Sequence, residues 1–473
     1  MARLIGLDVG TTALKAVAIS DDGDVLDRAS AGYRLSMPRP GWTEQDPDDW
    51  WGAAKAVLSQ LGGDRADGIA VSGQMHGLVA LDGGGRPLRP AMLWNDGRTA
   101  DECREIERRI GRERLVELTG NRTATGFTAP KLLWMQRHER ELFARIRHVM
   151  MPKDYVRYRL TGEIAADVTD ASGTLLFDVA GRRWSDEVLT ALEVPAAWMP
   201  QVHESTARAG SVGSVPVAAG AGDQASGAIG AGVTRTGLAS VVLGTSGVVF
   251  APLPAYRFDP PARLHTFCDA RPGGWHAMGV MLSAAGSLRW LRDAVAPGTP
   301  FDQLSHEAAA WDAGSGGLLF LPYLSGERTP HNDPAARGAF IGLGLEHDRG
   351  AMARAVMEGV AYGLRDSLEL LAALGDRPSV GRASGGGAAS ELWLRIVASA
   401  LELRLERIDV EDGSAYGAAL LAGVAAGVFA DVADAASRCV RITTTIDPDD
   451  AWTASYRDGY ARFTRAYPAV RPL

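Results

Sequence analysis

Leu4-Ile5-Gly6-Leu7-Asp8-Val9-Gly10-Thr11-Thr12 opens the chain as an apolar strand running into a Gly-Thr-Thr turn, and Lys15-Ala16-Val17-Ala18-Ile19 leads straight out of it. The pattern returns far downstream as Val241-Val242-Leu243-Gly244-Thr245-Ser246-Gly247 followed by Val248-Val249-Phe250. Each copy reads as a β-hairpin whose glycine leaves backbone N–H groups accessible beside hydroxyls, a combination suited to phosphate oxygens. Taken singly, either copy is equally a plain tight hairpin. Two facing copies can clamp one polyphosphate, with Gly10, Thr11, Thr12 and Lys15 on one side and Gly244, Thr245 and Ser246 on the other.

Aligning Gly10 with Gly244 sets Asp8 opposite Val242, so the two turns differ at one charged position. A carboxylate between Leu7 and Val9, near the end of an apolar strand, needs a partner. A hydrated magnesium ion carried on the phosphates supplies one.

Composition points to an ordinary enzyme: 473 residues, 46% hydrophobic, net charge −8, a size that suits two domains sharing a cleft. The four lysines (Lys15, Lys55, Lys131, Lys153) form no basic stripe, which argues against nucleic acid as a partner. Cys103, Cys268 and Cys439 are odd in number and far apart, which favours a reducing, cytoplasmic setting over a disulfide framework. Met1-Ala2-Arg3-Leu4 carries no signal-peptide pattern. Two uncharged stretches are long enough to test as membrane spans. Thr236 to Tyr256 is broken by its glycine turn and ends in prolines, which suits paired strands. Gly413 to Ala430 is rich in small residues and reads as a helix packed inside a core. A membrane role is not expected.

Strand-like runs (Gly68 to Val71, Gly77 to Leu81) alternate with helical ones (Ala100 to Leu118), an α/β pattern. Trp42 to Trp51 reads as a turn feeding a helix, with Pro47 near its first position and tryptophans in the core. Asp348 is placed to cap a long helix that buries one face through Met352, Ala355, Val356, Val360 and Leu364. The domain boundary falls near Arg235 to Leu238, giving domains 1–236 and 237–473 with one turn in each.

Two further glycine-rich segments carry chemistry. Ala383-Ser384-Gly385-Gly386-Gly387-Ala388-Ala389-Ser390 precedes a helical run that Ser390 can cap; Gly386, Gly387 and Ser390 suit the nucleoside end of a nucleotide, or simply a strand-to-helix turn. Ala219-Gly220-Ala221-Gly222-Asp223-Gln224 holds Asp223, the only charge between Arg208 and Arg235. An isolated carboxylate among small residues suits a general base taking the proton of an attacking hydroxyl. It is equally placed to cap the helix from Gln224 onward, and the two roles are compatible. Gly220, Gly222 and Ala225 also satisfy a dinucleotide fingerprint, but no Asp or Glu lies between Gln224 and Phe258 to bind a ribose. A Walker-type P-loop is absent too.

Polar residues for a small polyol gather in Ser72-Gly73-Gln74-Met75-His76-Gly77 and Leu93-Trp94-Asn95-Asp96-Gly97-Arg98. Gln74, His76, Asn95, Asp96 and Arg98 offer directional donors and acceptors, and Trp94 a flat apolar face. His76 as a surface histidine and Trp94 as plain core are the alternatives.

Nearly the whole chain resembles the FGGY carbohydrate kinases, and within them the branch acting on D-xylulose. The resemblance rests on the two hairpins, Asp223, Gly126-Phe127-Thr128-Ala129-Pro130-Lys131-Leu132-Leu133-Trp134, Met151-Pro152-Lys153-Asp154-Tyr155, and Phe320-Leu321-Pro322-Tyr323-Leu324-Ser325-Gly326-Glu327-Arg328-Thr329-Pro330-His331. It implies two actin-like, ribonuclease-H-like domains with ATP and Mg2+ in the cleft between them, and phosphorylation of the terminal hydroxyl of a ketose. It assigns Asp223 as catalytic base, Asp8 to magnesium and phosphate, with Asp223 also near the metal, and Met75 and His76 to the sugar. Gln224, also placed at the sugar, departs from an asparagine in some members. It further suggests a homodimer. Kinases for L-ribulose, glycerol or gluconate, or a nucleotide-driven actin-like ATPase, are the other readings.

Overall fold

Both quoted turns are hairpins in the computed structural model, which describes residues 1–375, 377–409 and 413–471. Leu4–Val9 pairs antiparallel with Ala13–Ile19, and Leu238–Leu243 with Gly247–Leu253. Each hairpin begins a larger repeat. In the first half Val25–Gly32 completes a three-stranded antiparallel meander, and Gly68–Gly73 pairs in parallel with the opening strand. In the second half Trp275–Met281 completes the meander and Val380–Ser384 adds the parallel partner. Each repeat belongs to a seven-stranded mixed sheet, so the chain is α/β with two similar lobes.

Strand alternation decides what each lobe buries. Ile5, Leu7 and Val9 face Trp50, Val57 and Leu61 on the helix Pro47–Leu61. That helix starts as expected, with Pro47 in its first turn and Asp46 as cap. Of the three tryptophans near it only Trp50 is fully buried. Leu4 and Ala70 face the other way, into a cluster with Tyr416, Ala419 and Leu420 of the helix Gly413–Ala425. Gly6 shares that face: a Cβ there would lie 1.9 Å from the Ala415 carbonyl oxygen, so only glycine lets this helix close on the strand. Asp8 follows in the same alternation and belongs to the face turned toward the second lobe's chain.

Gly413–Ala425 is thus a helix from the second half lying on the first. It also packs against Asp223–Gly230, where a Cβ on Gly417 would sit 1.8 Å from the Ser226 carbonyl oxygen. The stretch tested above as a membrane span is this interlobe helix, and the other is a strand pair. Among the described residues no helix is long and apolar enough to cross a membrane.

The second lobe is built round Arg349–Leu374, capped by Asp348, which accepts from the Ala351 N–H at 2.9 Å. One buried face was expected; the helix is instead enclosed along most of its length, because it runs between the sheet and two further helices, Phe301–Ala309 and Glu391–Leu401. Two of its buried charges pair internally, Arg354 Nε with Glu358 Oε1 at 2.7 Å, and buried Asp366 accepts from the Tyr460 hydroxyl at 2.6 Å. The run Ala100 to Leu118 is two helices, Ala100–Ile110 and Arg112–Thr119, parted at Gly111 where φ is 86°. The three cysteines are free and buried.

Candidate active site

The first turn is braced from behind. The Tyr33 hydroxyl and Gln74 Nε2 (3.3 Å) donate to the Gly10 carbonyl, Gln45 Nε2 to the Thr11 carbonyl at 2.6 Å, and the Tyr33 N–H to the Thr12 carbonyl at 3.3 Å. The Gly10 N–H is given to the Asp8 carbonyl at 3.0 Å, and with the turn's carbonyls engaged Thr11 and exposed Thr12 are left with the polarity an anion needs. Gln74, expected at the substrate, is buried in this bracing, where Gln45 Oε1 also accepts from it at 3.2 Å. Lys15 is exposed on the second strand, directly across the ladder from Asp8.

The second turn is braced the same way. Ala285 N–H donates to the Gly244 carbonyl and Ala284 N–H to the Thr245 carbonyl, both at 2.8 Å, so the following helix Ala285–Val295 holds it. Thr245 and Ser246 stay exposed.

Asp223 emerges where the short strand Ala221–Gly222, paired with Ser72–Gly73, turns into the helix Asp223–Gly230. The helix cap is Gly222, with no side-chain cap bond, so the expected capping by Asp223 does not occur. The carboxyl is left for other work. Asp223 and Gln224 line two cavities at once, one of about 410 Å³ toward the first lobe's polar loops and one of about 620 Å³ toward the glycine cluster of the second. Burial raises the Asp223 carboxyl from 3.8 to about 6, opposed by bonds from Gln224. It is therefore charged at neutral pH yet ready to take a proton.

The smaller cavity holds most of the expected sugar residues. Met75, His76, Trp94 and Asn95 form one wall with Asp223 and Gln224. His76 sits at φ 68°, and its Nδ1 lies 2.6 Å from the Gly173 carbonyl, so Nδ1 carries the proton and Nε2 is an acceptor. Desolvation first, then the charges of Lys131 and Arg328, lower it to about 3, which keeps it neutral. Trp94 is 44% exposed, so it is no core residue; its Nε1 donates to Thr11 Oγ1 at 3.0 Å and ties this wall to the first turn.

Asp96 and Arg98 are not on that wall. They form a buried ion pair at 2.6 Å, Arg98 reaches Glu44 at 2.8 Å, and its guanidinium lies over Trp42. The pair holds the loop that displays Trp94 and Asn95, and both side chains are buried away from the cavity. The opposite wall comes from the second lobe and includes Ser246, Val248, His265 and Arg328. Sequence reasoning missed His265 and Arg328; Arg328 lies inside a quoted family stretch, but nothing local marks it as a cavity residue.

In the larger cavity Val242, the counterpart of Asp8, lies with Ser384, Gly385, Gly386 and Ser414. A neighbouring cavity of about 550 Å³ is lined by Gly386, Gly387, Ser390, Arg289, Phe301 and Trp393. Ser390 caps Glu391–Leu401, its hydroxyl accepting from the Trp393 N–H at 3.3 Å, as expected. The three glycines differ. A Cβ on Gly385 would meet the Leu243 backbone at 2.7 Å and one on Gly387 the Leu243 Cβ at 2.9 Å, whereas one on Gly386 would meet nothing within 4 Å. Gly386 alone faces open space.

The model of the N-terminal domain of FGGY carbohydrate kinases matches residues 3–230, and that of the C-terminal domain residues 239–426. The chain belongs to the FGGY family of carbohydrate kinases. It is an enzyme of that class, and its repeated sheet is the actin-like ATPase fold expected above. It is 40% identical to the xylulose kinase of Escherichia coli (strain K12) over 484 residues, covering 99% of each chain. Among solved structures, a "xyloylose kinase" from Brucella ovis superposes with a TM-score of 0.94 at 41% identity over 100% of both chains. The xylulose kinase from Rhodospirillum rubrum gives 0.93 at 33% identity over 99% of both.

Proposed function

We propose that this FGGY kinase transfers the γ-phosphoryl group of ATP directly to O5 of D-xylulose, giving D-xylulose 5-phosphate. The observation that carries the reading is the place of Asp223 on the boundary of two cavities, one suited to a small polyol and the other flanked by glycine turns. In-line transfer needs a base touching the nucleophile while facing the phosphoryl donor, and one carboxylate at a shared boundary meets that need. The xylulose kinases to which the chain is similar over nearly its whole length narrow the acceptor to this ketose.

In this reading residues 1–236 bind the sugar and residues 237–473 the nucleotide. Met75, His76, Trp94, Asn95 and Gln224 position the ketose, and Asp223 accepts the O5 proton as the oxygen attacks. Gly10, Thr11, Thr12, Gly244, Thr245 and Ser246 hold phosphate oxygens through N–H groups and hydroxyls, with Lys15 adding positive charge. Gly386, Gly387 and Ser390 border the nucleoside. Among the described residues no three His, Cys, Asp or Glu side chains converge as a ligand group. The available oxygen donors, Asp8, Asp223 and the turn hydroxyls, fit a magnesium ion that keeps waters and phosphate oxygens as its remaining ligands. Asp8 and Asp223 would hold it, and when bound it supplies neutralisation of phosphate charge. Three reduced, buried thiols suit residence in the cytoplasm.

The test is a coupled assay of ADP release with D-xylulose, L-ribulose, glycerol and gluconate, with the product's phosphorylated carbon identified by NMR. The highest specificity constant with D-xylulose and a 5-phosphate product are expected. A higher constant for another acceptor, or phosphate at another carbon, overturns the assignment.

A further inference from the structure

The second lobe's contribution to the sugar-side cavity has a chemistry of its own. His265 lines that cavity and is half-buried, with its ring stacked on Phe267 at 5.8 Å between centroids and tilted against Phe127 at 6.0 Å. Its tautomer is set from the other lobe. Asn121 is fully buried, and its Nδ2 donates to the Thr119 carbonyl at 2.8 Å and the Thr266 carbonyl at 2.9 Å. Two carbonyls require the amino group on that side, so Oδ1 points to His265 Nδ1, 2.7 Å away. Nδ1 must then carry the proton, and Nε2 is a bare lone pair. Among the described residues no group meets it: Nε2 is buried without a hydrogen-bond partner.

A buried acceptor left unpaired costs about 1–3 kcal/mol unless something fills it. Desolvation, joined by the nearby charge of Arg328, holds this imidazole well below its ordinary range, so protonation does not remove the lone pair. Arg328 lines the same cavity as a donor of fixed planar geometry. Among the described residues its guanidinium enters no ion pair; the adjacent Glu327 accepts through Oε1 from the backbone N–H groups of Arg328 at 2.7 Å and Leu282 at 3.0 Å. The wall thus offers one acceptor without a proton and one donor without an acceptor. A polyol can meet both through its hydroxyls, but a carbonyl oxygen, which carries no proton of its own to place, is the better acceptor for the guanidinium beside a hydroxyl that donates to the imidazole.

We propose that His265 and Arg328 read the hydroxyketone end of the substrate, His265 Nε2 accepting from a hydroxyl and the Arg328 guanidinium donating to the neighbouring carbonyl oxygen. This rests on the reading of the protein as a ketose kinase and names the residues that select a ketose. Because both side chains come from the second lobe while Met75 and His76 come from the first, a bound ketose bridges the lobes. Its occupancy favours the closed cleft in which Asp223 meets the nucleotide.

The test is steady-state kinetics of full-length Arg328→Met and His265→Leu, with xylitol, which lacks the carbonyl, measured as a competitive inhibitor against D-xylulose. Arg328→Met is expected to raise the D-xylulose KM about 10–100-fold, the range of a lost charge-assisted hydrogen bond, while weakening xylitol clearly less and leaving the ATP KM nearly unchanged. His265→Leu is expected to weaken D-xylulose and xylitol alike, by about 3–10-fold. His265→Gln, which keeps an acceptor, and Arg328→Lys, which keeps a donor, decide the matter if the larger changes impair folding; each should recover most of the sugar affinity. A normal D-xylulose KM in Arg328→Met, an equal loss of xylulose and xylitol in that variant, or a His265→Gln enzyme as impaired as the leucine variant overturns the proposal. Failure of the wild type to phosphorylate D-xylulose counts against the ketose-kinase reading, whereas wild-type turnover with unaffected variants counts against this wall alone.

Discussion

The backbone N–H of Gly222 donates to the hydroxyl of Thr169 at 2.8 Å, one residue before Asp223. That hydroxyl donates onward to Asp167 Oδ2 at 2.6 Å, and Asp167 is held in turn by Lys153 at 2.7 Å and by the Ser205 hydroxyl at 3.0 Å. The strand end that delivers the carboxyl to both cavities is therefore pinned to a buried charge cluster. Thr169→Val would leave the Gly222 N–H unpaired and Asp167 short of a donor. It should lower kcat about tenfold with smaller changes in the KM of sugar and ATP, because Asp223 is displaced while the cavity walls stay. Thr169→Ser should restore most of the rate. A wild-type kcat in the valine variant, measured in the same ADP-release assay, would show that this bond does not position the base.

Burial moves Asp223 from 3.8 up to about 6, so the folded state holds its proton more tightly than the unfolded chain does. The stability from that preference is complete below about pH 3.8 and is lost as pH rises through about 6, where a partly desolvated charge must be carried. Asp223→Asn removes that charge. The variant should lose turnover by about 10²–10⁴, yet unfold at a higher temperature than wild type at pH 8, by on the order of 1 kcal/mol once cavity water is allowed for. The advantage should shrink toward pH 4. In the wild type, kcat/KM should fall on the acid side with a midpoint near 6. Thermal unfolding across pH, set beside the rate profile, checks both.

Lys153 Nζ lies 2.6 Å from Asp154, 2.7 Å from Asp167 and 3.8 Å from Asp170, and all four side chains are fully buried. Desolvation holds Asp154 and Asp170 above the ordinary carboxylate range, with neighbouring carboxylates adding to it, while Lys153 works against that rise. Lys153→Met leaves three buried carboxylates with Arg157 as the remaining nearby cation. A loss of about 3–5 kcal/mol is expected in urea unfolding, the range for breaking a buried pair from one side. The deficit should be larger at pH 8 than at pH 5, since the orphaned acids can take protons only at the lower pH.

How far the sequence reached follows from where the information sits. The two turns were legible because a hairpin is local: Gly10 and Gly244 fix the chain direction within three residues, and alternation of Ile5, Leu7 and Val9 assigns the buried face. Asp223 stood out for a related reason, as one charge in a long neutral stretch. Asp96 and Arg98, expected at the sugar, do not line that cavity; their composition is that of a polar loop, and only tertiary pairing with Glu44 and Trp42 shows them supporting it. The bracing by Gln74 was hidden likewise, since its partner Gly10 is distant in sequence. His265 and Arg328 could not be seen at all. They reach the cavity from the other lobe, and a site assembled across a cleft leaves no spacing to read.

Of the three consecutive glycines at the start of the turn proposed for the nucleotide, Gly386 alone has space beyond its missing Cβ, and its φ is not in the left-handed region. A side chain there strains neither backbone nor packing, so its consequences fall on whatever occupies the cavity. Gly385, at φ 86° and with a Cβ that would lie 2.7 Å from the Leu243 backbone, carries the opposite prediction. Gly386→Val should leave the unfolding temperature unchanged and raise the ATP KM about tenfold or more, the cost of forcing extra methyl groups into an occupied site, while the D-xylulose KM moves little. Gly385→Val should lower the unfolding temperature and damage both substrates' kinetics together. The contrast separates a glycine kept for a ligand from one kept for the fold. A Gly386→Val enzyme with normal ATP kinetics would remove this turn from the nucleotide site, even if the phosphate hairpins keep their part.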